Sequence, residues 1–438
     1  MGLIINIAGI IIYSIMLVII LRNGMKGART IKLVPSGSYM IVDKYFYFLV
    51  FIIISAPFFF PALSLVKYVL YFGISIYIIF VFKNFKTDII VKTYILFLFW
   101  VILRGSYLTI PWQTMMMVIK YTIPLLSLWL AYDVIDSEID MLCLFKKANK
   151  WMCIYAFAIG GFGCVMFPWF YYSVLGNGIF LTYGGLADYF SSLIIIPIVL
   201  FWLTNKFKYI YAAVWIALSS VLESVRTGIG AICLAVVFYF FYRFRLKALP
   251  LIFTVGVIFI GVILYVPSVN EKFYGDKAGT VTSDDIVSGD ALSMDNMATN
   301  GRSHMWEVTM DKFYDKHPIV GAGTGETSHY MKTHSKQFGG LTLLHSDYVQ
   351  ILNDNGIIGI VLLGIFYLSV LLKALMYTGR NHSLWVRVTG ITAVCSLAAV
   401  GFSMAFDNVV AHSMTSLINP FIFLGFFLKF IDKEEGHV

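Results

Sequence analysis

LLHSDYVQILNDNGIIGIVLLGIFYLSVLLK, residues 343–373, joins two kinds of chain. Its first part is polar. Ser346 can cap a short helix, DYVQILND, which Asn355-Gly356 breaks. Gly356 then opens an apolar run to about 375, close to the ~20 residues that cross a hydrocarbon core as a helix. A polar insert, 267–345, returns here to a chain that is otherwise lipid-like.

Working outward, similar apolar runs recur at 2–21, 45–65, 67–82, 89–103, 113–132, 151–172, 189–204, 209–224, 227–243, 249–266, 388–406 and 417–431. Of the 438 residues 59% are hydrophobic and 13% charged, and the mean hydropathy is +0.83. A soluble domain carries roughly 25% charged residues. The expected fold is therefore all-α: a polytopic membrane protein of about 12–14 spans with one large outer loop containing short helices. It divides as 1–266, 267–355 and 356–438. The run 2–21 lacks a basic start and a small-residue cleavage site, so it reads as a span and not a removed signal. The net charge of +8 comes mostly from short loops, which explains it by membrane topology and excludes nucleic-acid binding. With about thirteen spans, the basic clusters around Arg22–Lys44, Lys83/Lys86, Lys146–Lys150, Lys206/Lys208, Arg243–Lys247, Lys373–Arg387 and Lys429/Lys433 share one side, the cytoplasm. Arg104, Arg226 and the whole insert fall opposite. The five cysteines form no CxxC pair, so neither a disulfide framework nor a zinc site is indicated.

Within the insert, residues up to about 301 carry few bulky apolar side chains and read as a mobile loop. From Ser303, a candidate N-cap, a helix is expected: Trp306, Met310 and Phe313 recur at helical spacing, and His317-Pro318 stops the run. Gly321–Gly325, GAGTG, lacks the lysine and the strand–helix context of a phosphate loop and reads as a turn.

Three residues could carry chemistry. Arg226 sits in SVRTGIG between two apolar runs, where a guanidinium must pair or face water. It either snorkels to the interface or faces a ligand, and Glu223 could orient it. Arg302 follows Gly301 at the start of the expected helix. It is either an exposed loop arginine or, with Arg226, an anion clamp, since arginine grips phosphate bidentately and stays charged. His345 stands where insert meets membrane. It is a structural histidine, a general base near pH 7, or a metal ligand with His329 and His334, whose spacing fits no standard ligand set.

The pattern HSxxxxxxxxxGIIG at 345–359 resembles the signature of the bacterial O-antigen polymerase and O-antigen ligase superfamily. GRSHMWEVTMDKFYDKHPIVGAGTG (301–325), SVRTGIG (224–230) and, more weakly, YGGLADYFSSL (183–193) resemble further family segments. Family members often carry Ser directly before the first arginine. Here that position is Val225, with Ser224 and Thr227 nearby. The resemblance spans roughly 175–375. It implies a metal-independent, inverting C-type glycosyltransferase of the bacterial inner membrane, with its site facing the periplasm. The implied donor is a glycan on undecaprenyl diphosphate, held by Arg226 and Arg302, with His345 as base toward a lipid-linked acceptor. Membrane lipids and a polysaccharide chain-length regulator are the implied partners. Polymerase is the expected activity, ligase onto lipid A–core the alternative.

Overall fold

The computed structural model describes residues 71–73, 86–135, 137–158, 183–222, 225–274 and 302–436. The expected spans 2–21 and 45–65, most of 67–82, the latter part of 151–172, Glu223, Ser224, Gly301 and the loop sequence before it lie outside these residues. Among the described residues the regular structure is helical, with one isolated bridge between Gly105 and Thr324.

In chain order the helices are α1 (Ile89–Leu103), α2 (Pro111–Val134), α3 (Glu138–Tyr155), α4 (Tyr183–Leu193), α5 (Ile195–Thr204), α6 (Lys208–Leu222), α7 (Arg226–Phe244), α8 (Leu249–Tyr265), α9 (Pro267–Tyr274), α10 (Arg302–Thr309), α11 (Glu326–Thr333), α12 (Asp347–Tyr377), α13 (Leu384–Phe406) and α14 (Ile418–Glu434). Five apolar helical stretches among them are long enough to cross a membrane. Their starts follow local chemistry. Asp88 accepts from the Ile90 N–H, Ser137 from Asp140, Ser346 from Val349 and Ser383 from Val386, and Pro111 needs no N–H at the start of α2.

Helix α14 is buried all round from Ile418 to Asp432, as a central helix of a bundle should be. It packs on α2 and α13, while α13 packs on α7 and α12 on α1. Rings lock the centre: Phe366 stacks on Phe421 at 5.2 Å, and Tyr94 meets Phe421 edge-on at 4.6 Å. Where a ring is polar it finds a partner, as the Tyr94 hydroxyl does in the Tyr121 carbonyl at 2.7 Å.

The break foreseen at Gly356 is present: φ 67°, ψ −169° inside α12. A helix interrupted inside a membrane must re-satisfy its freed backbone, and the segment 318–323, which runs into GAGTG, does so. Ile357 and Ile358 donate to Pro318 and Ile319, while Ala322 and Gly323 donate to Asn353 and Asp354. Both Asp354 oxygens accept backbone N–H groups, from Gly325 at 3.0 Å and Thr327 at 2.9 Å. The concavity that a phosphate loop would offer an anion thus already holds one. Arg104 ties the turn down, donating to the Val320 and Gly321 carbonyls.

Four expectations change. The span expected from 189 begins at α4 near 183, because Asp188, Ser191 and Ser192 are polar yet buried among neighbouring helices. Lys146, Lys147 and Lys150 belong to α3 and not to a loop: Ser137 caps that helix, and it buries Met141, Leu144, Phe145, Ala148 and Met152. Ser303 lies inside α10, not at its cap. Along α10 and the π turn Met310–Tyr314 that follows it, Met305, Thr309 and Phe313 are buried, so of the three expected apolar positions Phe313 is buried while Trp306 and Met310 are half-buried.

Candidate functional site

The start of α12, the start of α7, the start of α10 and the end of α13 converge at one end of the bundle. His345 precedes the Ser346 cap and has φ 57°, a left-handed conformation that an L-residue holds only under constraint. Two constraints act. Trp306 of α10 donates from its indole N–H to the Leu344 carbonyl at 2.9 Å. The His345 backbone N–H donates to Asn408 Oδ1 at 2.9 Å. Since that oxygen accepts the backbone N–H, the Asn408 amide nitrogen turns toward the ring, 3.1 Å from His345 Nδ1.

Asp407 sits on the same ring nitrogen, its Oδ1 3.3 Å from Nδ1. Only one of the two neighbours can be used at a time. A bare Nδ1 accepts from Asn408, and a protonated Nδ1 donates to Asp407. In the second state Nε2 is left bare, as a base must be. Burial works to raise the Asp407 carboxyl. Hydrogen bonds from His345 and the Asn408 N–H, with the charges of His345 and Arg302, outweigh it and hold the group below the ordinary carboxylate range. A side chain at Gly184, the second residue of α4, would put its Cβ 2.7 Å from Asp407 Oδ2, so a larger residue there would push the carboxylate from its present position. One turn on, Asp188 is buried within electrostatic range of Asp407.

Arg302 donates from Nη1 to the Phe406 carbonyl at 2.6 Å, placing a guanidinium on the negative end of α13 beside Asp407. Arg226 is half-buried, 5.6 Å from the Phe273 ring, and the two guanidinium groups lie within electrostatic range of each other. Like charges gathered in a half-buried place favour an anion between or beside them. Beyond His345, half-buried Lys120 of α2 shares a field with Lys332, Asp347 and His412. Burial, then the Lys120 charge, pushes His412 down to about 4, so it is neutral at pH 7. Among the described residues no group of three His, Cys, Asp or Glu side chains is arranged to hold a metal ion. His334 turns its Nδ1 back to its own helix, toward Tyr330 O and Thr333 Oγ1.

Residues 211–364 match the family model described as O-Antigen ligase, Wzy_C. The match, over about a third of the chain, supports the O-antigen polymerase and ligase superfamily. No curated protein matches it. The superfamily segment contains Arg226, Arg302 and His345, which the structure gathers at one end of the bundle. It leaves out Asp188, Asp407 and Asn408, which sequence reasoning also missed. A signal was present: Asp407-Asn408 closes an apolar run, and an acid at such a boundary is a functional candidate by default.

Proposed function

We propose that the chain is a surface-polysaccharide polymerase, an inverting glycosyltransferase that moves a growing glycan from a polyprenyl diphosphate onto the next lipid-linked repeat unit. The observation that carries this reading is the His345–Asp407 contact set beside the Arg302–Arg226 pair at one end of an apolar helical bundle, a geometry that suits a base next to an anion clamp. His345 Nε2 takes the proton of the acceptor hydroxyl while Asp407 accepts from Nδ1–H. The acceptor oxygen attacks the anomeric carbon from the face opposite the leaving group, forming the new glycosidic bond. The bond to the diphosphate breaks, and its electron pair leaves with the phosphate oxygen. Arg226 and Arg302 stabilise the charge that develops there. Neither step needs a metal. The site faces the periplasm of a bacterial inner membrane, where lipid-linked glycans are presented.

A second reading is ligase activity with lipid A–core as acceptor, and the description of the matching family model as O-Antigen ligase is compatible with it. The lipopolysaccharide gel of a deletion strain separates the two. Polymerase loss leaves a single repeat on the core, and ligase loss strands long glycan on the carrier lipid. A deletion strain with an unchanged ladder, glycan length and carrier-bound pool overturns both readings.

A further inference from the structure

The end of the bundle opposite His345 carries a second arginine cluster that the transfer reaction does not use. Helix α7 begins with Arg226 and has 19 residues, so its last turn lies about 28 Å away along the axis, near the ~30 Å thickness of a hydrocarbon core. Arg243 is in that turn. Helix α13 runs the other way across the same span, with Arg302 and Asp407 at its far end and Arg387 in its first turn. Both arginines converge on Trp202 of α5. The Arg243 guanidinium carbon is 4.0 Å from the Trp202 ring centroid and that of Arg387 is 5.5 Å from it.

The two charges lie within electrostatic range of each other. Neither has a carboxylate within ion-pair distance among the described residues. The Arg243 guanidinium carbon lies over the rings of Trp202, Tyr239 and Phe244, and the Tyr239 hydroxyl is close enough to hydrogen-bond it. Cation–π contact uses the face of a guanidinium and leaves the donors on its edge. Arg243 Nη1 and Arg387 Nε are buried and have no hydrogen-bond partner. A buried donor without an acceptor costs about 1–3 kcal/mol, more when charged. Two such donors, on two like charges, at membrane-surface depth, are complementary to one doubly accepting anion.

We propose that Arg243, Arg387 and Trp202 form a binding site for the phosphate of an anionic phospholipid. Arginine edges bind phosphate oxygens in pairs, and basic pockets between spans at this depth suit anionic headgroups. The flank argues for a lipid over free phosphate. Phe244 is 39% exposed beside Arg243, and Leu384 is 44% exposed one turn before Arg387, so acyl chains have an apolar surface next to the donors. The site lies a membrane thickness from His345 and so is distinct from the proposed transfer chemistry.

The test is binding by the purified full chain in detergent, read by native mass spectrometry and by Tm. Three probes are compared: phosphatidylglycerol, phosphatidylcholine of the same chains, and inorganic phosphate. Wild type should retain phosphatidylglycerol about tenfold more tightly than phosphatidylcholine and gain Tm only with the former. Arg387→Gln and Arg243→Gln should erase that preference, and Arg387→Lys should weaken it, because an ammonium lacks the planar fork. Wild type without the preference overturns the site, and this arm holds even if the variants fail to fold. Folded glutamine variants that keep the preference overturn it as well. A full Tm gain with inorganic phosphate alone overturns the lipid assignment.

Discussion

His345 holds a backbone conformation that favours glycine, and the energy for that strain comes from the contacts of Trp306 and Asn408. Such strain is expected where a side chain must be aimed. If His345 is the base, His345→Ala should lower transfer on the order of 10²–10⁴-fold with insertion intact, and His345→Gln should not rescue it. A fully active glutamine variant in a purified transfer assay would leave His345 a structural role only. Asp407→Asn tests the ring's tautomer. An amide at 407 can donate to Nδ1 and so favours the proton on Nε2, the wrong place for a base. Loss approaching that of His345→Ala is expected with unchanged Tm, and near-normal turnover would remove Asp407 from the mechanism. His412 predicts an acid limb. Its folded value is pushed down to about 4, against ~6.5 unfolded. The unfolded chain therefore takes up the proton first. Stability is full above about pH 6.5 and falls as pH drops toward 4, by at most on the order of 3 kcal/mol. His412→Gln should flatten Tm against pH across that window, and parallel curves would refute the assignment. At this scale Arg226, Arg302 and His345 could be picked out as candidates because motif spacing carries them, and the structure brings them to one end of the bundle. Asp407 was not. It lies 62 residues beyond His345, and its role comes from helix α13 ending beside α12.

The elements were legible where chemistry is local. Ser346 as cap and Gly356 as break follow from the sequence, and both occur. What could not be read is tertiary: Asp354, a helix residue, filling the GAGTG concavity from 27–29 positions away, or α10 burying Met305 and Thr309 more deeply than Trp306. Gly356 is where the two meet. A Cβ there would stand 2.3 Å from the Ile319 carbonyl oxygen and 2.6 Å from the Gly321 nitrogen, at a φ that already disfavours it. Gly356→Ala should therefore destabilise by 3 kcal/mol or more, about the cost of one strained residue plus the displaced turn. Because the turn is also held by Arg104, the bundle should survive and transfer should fall with it. A detergent melt matching wild type would show that the break and the turn are not coupled.

At the scale of the molecule, charge is sorted by end. Lys373 pairs with Asp88, Lys86 with Asp432 and His382 with Glu434, and Arg243 and Arg387 share Trp202. All these groups belong to the end that the short basic loops assign to the cytoplasm. Arg104, Arg226, Arg302, His345 and the folded part of the insert are at the other. The insert has a small core of its own, Met305, Met331, Phe338 and Leu344, so it is a structured cap over the site end. Among the described residues, the charge rule for loops and the packing of the helices divide the chain the same way. The division predicts accessibility. Thr333 is exposed on α11 of the cap, and Arg380 is exposed after α12 at the far end. In a cysteine-free background, needed because Cys143 is exposed, Thr333→Cys should react with an impermeant maleimide in intact spheroplasts. Arg380→Cys should react only after lysis. The reverse pattern would invert the protein in its membrane and put the Arg302–His345 site on the cytoplasmic face, where the proposed donor is not presented. Labelling of both in intact cells would mean that the two ends do not face opposite sides, and the polytopic reading of α7 and α13 would fall with it.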